Sequence, residues 1–197
     1  IAYFLSSVTN SKIMLVEQEK GVALHTSSRN TGKVHAPFLY DPIKKKFFAK
    51  AASLGYDMWK EYCRLKSLPF VQDGVIEVAT SEDSLGRLSK YMLWGEANGL
   101  INGKDFWLLD KNQVKEVEPN VTCLSAILCE RDASVNYGAI TQHLIGDSCA
   151  FGCEVLLGNR LKGIFQAKND ANIRLSVTDG MEKYSVTTQF LINSAGG

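Results

Sequence analysis

With 197 residues, 45% of them hydrophobic and 22% charged, the chain has the composition of an ordinary globular protein with material for one sizeable core or two small ones, which excludes intrinsic disorder. Twenty-two basic against 21 acidic side chains leave a formal net charge of +1, so no long-range field recruits nucleic acid or an anionic membrane surface. A small-molecule ligand or a protein partner remains.

The opening run Ile1 to Leu5 reads as the end of a helix that begins before the sequence does. Lys12 to Val16 is a continuous apolar run ending in Glu17, the pattern of a strand buried on both faces of a parallel sheet, so helix, turn and strand make half of a βαβ unit. A polar loop follows from Gln18 to Gly32. From Lys44 to Leu65 the pattern is helical, with Phe47, Phe48, Ala51, Ala52, Leu54, Met58, Trp59 and Tyr62 as a broad apolar face.

Strands are expected near Val75 to Ala79 and Ala126 to Cys129, with a helix from about Glu82 to Asn98 between them. Asp110, with Gln113 three residues on, starts a short helix through a capping-box variant, and Pro119 closes it. This middle region reads as a separate lobe. A helix from about Gly138 to Phe151 leads into a strand at Glu154 to Leu157. Leu161 to Ala167, Ile173 to Thr178 and Tyr184 to Phe190 follow as strands, with Asp179-Gly180 as a hairpin turn. The run Leu191 to Gly197 reads as a last buried strand entering glycines.

The five cysteines (Cys63, Cys123, Cys129, Cys149, Cys153) are odd in number and contain no C-x-x-C pair, which argues against a disulfide framework or a zinc knuckle. Cys149 and Cys153, at helical spacing, read as incidental rather than as metal ligands, and no metal site is expected. A reducing compartment, cytoplasmic or mitochondrial, is expected. No apolar run approaches the roughly 20 residues of a transmembrane helix, and no basic signal-peptide start is present; peripheral membrane association stays open.

A lone acid at the end of a buried strand is how a dinucleotide-binding fold holds the adenosine ribose, because one carboxylate accepts both vicinal hydroxyls. Glu17 fits that role, and equally fits an exposed glutamate at a strand end. The stretch from His25 to His35 places hydroxyls, amides and an arginine in one loop, donors that suit a pyrophosphate and a flavin edge, although a solvated loop has the same composition.

The block from His25 to Tyr40, with Asp41-Pro42 and Lys46, is similar to the corresponding segment of L-2-hydroxyglutarate dehydrogenases, and Ser27-Ser28-Arg29 resembles FAD-dependent glycerol-3-phosphate dehydrogenases. Gly74 to Thr80, Glu116 to Asn120 and Ile192 to Gly196 recur in the same order as in the first family. The chain thus resembles an FAD-dependent oxidoreductase of the D-amino-acid-oxidase-like superfamily over essentially its whole length. The resemblance implies that Glu17 holds the ribose, that Thr26, Ser27, Arg29, Asn30, Thr31 and Gly32 line the cofactor, and that the Leu161 backbone meets the adenine. It implies Ala195 and Gly196 at the pyrophosphate, His35 beside the flavin ring as base or substrate orienter, and Lys46 just beyond. Lys33, Pro37 and Ile43-Lys44-Lys45 depart from the family pattern. The lysine run also reads as a solvated helix start, His35 as a hydrogen-bonded core histidine, and His143 as structural or exposed.

The expected fold is α/β. A Rossmann-like FAD-binding lobe comprises residues 1–68 and 133–197, its first strand and glycine loop missing, and an antiparallel-sheet substrate lobe at 69–132 interrupts it; both lobes are incomplete. Glu17, Ser27, Arg29 and Ala195 are expected around one cleft. The implied function is oxidation of a small 2-hydroxy acid, L-2-hydroxyglutarate above all, with an unidentified electron acceptor. The rivals are a glycerol-3-phosphate dehydrogenase, an amino-acid or amine oxidase, and a non-catalytic remnant acting as an interaction protein. The chain as given is expected to bind FAD poorly.

Overall fold

Helix α1 (Ala2–Val8) ends at Thr9, whose hydroxyl and amide both bond back to the Leu5 carbonyl. Strand β1 (Met14–Val16) follows. The computed structural model describes residues 1–168 and 170–196. The chain folds as two compact units, Ile1–Asn30 with Tyr137–Gly197, and Thr31–Asn136.

In the second unit, β2 (Lys33–Val34) runs into a 3-10 turn at Pro37–Leu39 and then into α2 (Lys46–Lys66). Asp41 prepares the helix start: its carboxylate accepts the Ile43 and Lys44 amides. Strands β3 (Phe70–Val71) and β4 (Val75–Ala79) lead to α3 (Glu82–Ala97), where the Ser81 and Ser84 side chains form a capping box. Strand β5 (Phe106–Asp110) is absent from the elements expected of the sequence. Asp110 then caps α4 (Lys111–Val117), its carboxylate accepting the Asn112 and Gln113 amides while the Gln113 side chain accepts the Asp110 amide. Strands β6 (Ser125–Cys129) and β7 (Ala133–Val135) complete the unit.

The antiparallel sheet β4-β6-β5 carries the core. Phe38, Phe106 and Ile127 are fully buried with Leu88 from α3 beneath them. Gly95 allows this packing: a Cβ there would lie 2.7 Å from two Phe106 ring carbons and 3.2 Å from the Phe38 Cβ. A smaller antiparallel sheet, β2-β7-β3, pairs Lys33 with Ser134 and Val34 with Ala133. Helix α2 does not bury the broad apolar face expected of it. It buries Ala49, Tyr56, Tyr62 and Cys63, while Phe47 stays 87% exposed and Phe48, Leu54 and Met58 are also exposed; its main partners are the 3-10 turn, β2 and β3.

The first unit resumes with α5 (Tyr137–Ala150) and β8 (Glu154–Leu156), which pairs in parallel with β1. α5 packs against α1 and β8. Strands β9 (Arg160–Phe165), β10 (Ile173–Thr178) and β11 (Lys183–Thr188) form an antiparallel sheet in which the Asp179 carboxylate accepts the Met181 and Glu182 amides at the hairpin. Two expectations change here. Met14 is exposed rather than buried on both faces, because among the described residues β1 has one strand neighbour. Residues 191–196 form no strand: no ladder pairs them, Leu191 and Ile192 are exposed, and the Asn193 side chain accepts the Ala195 amide in a local turn. Gly197, the end of that expected strand, lies outside the described residues. Cys149 and Cys153 do not share a helix, since α5 stops at Ala150.

Candidate functional site

Glu17 follows β1 directly, at the C-terminal ends of the two parallel strands. Its amide donates to the Leu156 carbonyl, and its own carbonyl accepts the Asn159 amide, so both flanks are fixed. One carboxylate oxygen accepts the Glu19 amide at 2.9 Å, which aims the group without covering it. Beyond it, residues 25–29 form a tight turn in which the His25 carbonyl accepts the Ser28 and Arg29 amides. The Asn30 amide folds back onto the Thr26 and Ser27 carbonyls, leaving Thr26, Ser27 and Arg29 as exposed side chains. Among the described residues no hydrogen bond or ion pair joins Glu17, Ser27, Arg29 and Ala195.

The other residues expected at the cofactor belong to both units, and each has its own local setting. Leu161 sits on β9, the outer strand of its sheet, opposite Val177. Ala195 and the positive-φ Gly196 lie in the exposed turn after Asn193, with open space around the position of a Gly196 Cβ. Thr31 is exposed. Gly32 has a structural reason to be glycine: at φ +68° a Cβ would stand 2.7 Å from the Val135 carbonyl oxygen, and the Gly32 carbonyl accepts the Val135 amide. Lys33, a departure from the resembled family, is engaged elsewhere, its ammonium donating to Asp73 at 2.8 Å. Ser134 donates to the same carboxylate, and these two donors, Lys33 first, hold Asp73 below the usual carboxylate range. Lys46 is exposed in the first turn of α2.

His35 lies one residue past the β2 ladder. Continuing the register of Lys33 with Ser134 and Val34 with Ala133 by one step sets His35 opposite Asp132. Their side chains meet, Nδ1 of the imidazole standing 2.7 Å from one Asp132 oxygen, while the other oxygen accepts the Ala36 amide at 2.6 Å. Asp132 is fully buried and the His35 side chain is 37% exposed, so the pair has a dry end and an accessible end. The hydrogen bond to Asp132 raises the His35 pKa above its ordinary value, against the opposing effects of burial and the Lys33 charge. A partly exposed imidazole, bonded through one nitrogen to a buried carboxylate, is suited to accept a proton from a bound hydroxyl on the other. Asp132 is a candidate that no local sequence pattern singles out; it is brought to His35 by the strand pairing, across 97 positions of sequence.

The donor set fits an adenine dinucleotide. A carboxylate at the C-terminal end of a parallel strand suits a ribose diol, and an exposed arginine among hydroxyls suits a pyrophosphate. The family of FAD dependent oxidoreductases designated DAO matches residues 1–197. L-2-hydroxyglutarate dehydrogenase of Caenorhabditis briggsae mitochondria is 28% identical over 95% of this chain and 42% of its own length. The mitochondrial enzyme of that name from Mus musculus is 32% identical over 81% of the chain and 33% of its own length. The chain therefore spans less than half of the curated relatives it matches. Among solved structures, L-alpha-glycerophosphate oxidase from Mycoplasma pneumoniae, with FAD bound, superposes with a TM-score of 0.78 at 24% identity, covering 88% of this chain and 45% of that one. Glycine oxidase from Geobacillus kaustophilus does so at 0.76 and 15% identity, covering 96% and 50%. These two share the Rossmann-like α/β fold. With the family match running over the whole sequence, the chain belongs to the DAO family of FAD dependent oxidoreductases.

Proposed function

We propose that this chain serves the FAD-dependent oxidation of a small 2-hydroxy acid, L-2-hydroxyglutarate to 2-oxoglutarate. The observation that carries the reading is the His35–Asp132 pair, a partly exposed imidazole bonded through Nδ1 to a fully buried carboxylate, on a chain whose curated relatives bear that enzyme's name. When bound, FAD supplies a two-electron acceptor for the hydrogen leaving the substrate carbon as hydride. His35 takes the hydroxyl proton on Nε2 as the C–O bond becomes C=O. Glu17 accepts the ribose hydroxyls. Arg29 offsets the pyrophosphate charge, helped by donors from Thr26, Ser27, Asn30, Thr31 and Gly32 and by the small residues Ala195 and Gly196. The Leu161 backbone meets the adenine, and Lys46 is the second catalytic candidate. In this reading residues 1–68 and 133–197 are the cofactor lobe and 69–132 belong to the substrate lobe. The organelle follows that of the named relatives, mitochondrial, with the cytoplasm as the alternative; the electron acceptor is a separate molecule.

The resemblance of the fold to a glycerophosphate oxidase favours glycerol 3-phosphate as the second substrate reading. Anaerobic flavin bleaching with L-2-hydroxyglutarate, glycerol 3-phosphate and sarcosine separates the candidates. Rapid bleaching by the first alone is expected, and His35→Gln is expected to slow it by about 10²–10⁴-fold, the usual contribution of a positioned base. Reduction by another of the three, or an unaffected His35→Gln variant, would refute the assignment.

A further inference from the structure

We infer that Asp132 is the positioning residue of this site: it holds the His35 imidazole with the proton on Nδ1 and the bare lone pair on Nε2, the one arrangement in which the nitrogen not bonded to Asp132 can take a proton. This rests on the reading of His35 as the base, and adds the tautomer that Asp132 imposes on it.

The assignment follows from which atoms can donate. The Ala36 amide can only donate, so the oxygen 2.6 Å from it is an acceptor. The second oxygen faces Nδ1 at 2.7 Å. As a carboxylate, Asp132 has acceptors alone on both sides, and Nδ1 must then carry the hydrogen. A fully buried, unpaired carboxylate is strongly disfavoured, so its retention here requires both donors. The consequence for His35 is steric as well as electronic: the carboxylate is tied to the backbone of the next residue, and the ring is thereby oriented with respect to its own chain.

A purely structural account, in which Asp132 serves to satisfy the Ala36 amide, makes a different forecast. Asparagine would satisfy that amide equally well through its carbonyl oxygen. Its amide nitrogen would then face Nδ1 as a donor and drive the ring proton to Nε2. Asp132→Asn thus separates the two accounts while keeping the volume of the side chain.

The other charged and titratable groups around the pair do not compete for this role. Lys33, two residues before His35, is bound to Asp73, and its charge lowers the His35 pKa. Arg131, preceding Asp132, pairs with Asp57 of α2 and lies over the Tyr56 ring. Tyr56 is raised above the ordinary phenol value by burial, and the Cys129 thiol is pushed up to about 12 by burial, so both stay neutral at physiological pH.

Imidazole nitrogen shifts, measured by NMR on the isotope-labelled chain, test this without substrate or cofactor. The chain has three histidines, and His35→Gln assigns the relevant signals. The wild type is expected as the neutral Nδ1–H tautomer with a titration midpoint above the ordinary histidine value. Asp132→Asn should invert the tautomer and move the midpoint down, and Asp132→Glu, which keeps the carboxylate, should restore the wild-type tautomer. In the FAD-loaded protein, Asp132→Asn should lower the rate of flavin reduction at saturating substrate by ~10²-fold or more with KM changed little. The acid limb of its pH profile should move to lower pH. An Nε2–H tautomer in the wild type, or an unchanged tautomer in a folded Asp132→Asn variant, would overturn the inference. If Asp132→Asn does not fold, the wild-type and Asp132→Glu spectra decide, and an Nε2–H form in either overturns it. Failure of L-2-hydroxyglutarate to reduce the flavin would refute the substrate reading while leaving the tautomer result standing, so the two failures are distinguishable.

Discussion

Gly95→Ala sets two effects of opposite sign against each other in the last turn of α3. Replacing a helical glycine with alanine ordinarily stabilises by up to about 0.5–1 kcal/mol, since glycine loses more backbone freedom on folding. Here the added methyl would lie 2.7 Å from both Cε2 and Cζ of Phe106 and 3.2 Å from the Phe38 Cβ. Both rings are fully buried and cannot swing toward solvent. Overpacking of this kind costs about 1–3 kcal/mol, and with two contacts under 3 Å the upper part of that range applies. The net expectation is a loss of about 1–2 kcal/mol. The three tryptophans, Trp59, Trp94 and Trp107, all lie between Thr31 and Asn136, so a urea transition followed by tryptophan fluorescence reports on that unit. A smaller side chain without the ring should relieve the clash, so Gly95→Ala with Phe106→Leu should be less destabilised than the sum of the two single changes. An increase in stability for Gly95→Ala would refute the close-packing argument. The site is involved too, because Phe38 anchors the chain as it leaves His35 and Ala36.

Glu17→Gln should weaken FAD binding about tenfold or more in a flavin fluorescence titration, because a carboxamide cannot accept from both ribose hydroxyls, a loss of about 1.4 kcal/mol or more; unchanged affinity would remove Glu17 from the cofactor site. The pH dependence of stability should reveal the His35–Asp132 pair. Since the folded pKa of His35 is raised, its stabilising contribution is complete below the unfolded value of about 6.5 and is lost as pH rises through the folded value. The stability difference between wild type and His35→Gln should therefore shrink from acid to neutral and alkaline pH, and a difference that grows with pH would contradict the assignment.

Elements announced by local chemistry are legible in the sequence. The Asp110 and Gln113 side chains bond each other's amides as the capping-box spacing requires, and α3 starts at Glu82 as its periodicity predicts. Elements defined by partners are not. Strands β2 and β3 are two residues each and exist through their pairing with β7, which no local pattern carries. The inward face of α2 is hidden from the sequence for the same reason: its largest apolar residues follow helical spacing, but the segments that cover the helix select Ala49, Tyr56 and Cys63. At residues 191–196 an apolar run reads as a strand, yet an isolated apolar run has no ladder to join and stays exposed.

The same division runs through the site. Glu17 and His35 stand out as candidates in the sequence because each sits beside a recognisable pattern, a strand end or a loop rich in donors. Asp132 sits in Arg131-Asp132-Ala133, where nothing local distinguishes it from an exposed acid, and its meaning depends on antiparallel register. A shift of one residue between β2 and β7 would turn its side chain to the opposite face of the sheet and leave His35 without a partner. That register is held by features with ordinary appearance in the sequence. Gly32 permits the carbonyl of Val135 to approach, and its own carbonyl accepts the Val135 amide. Lys33 and Ser134, opposite one another, both bond Asp73. The lysine that departs from the family pattern thus takes part in fixing the pairing that brings His35 to Asp132.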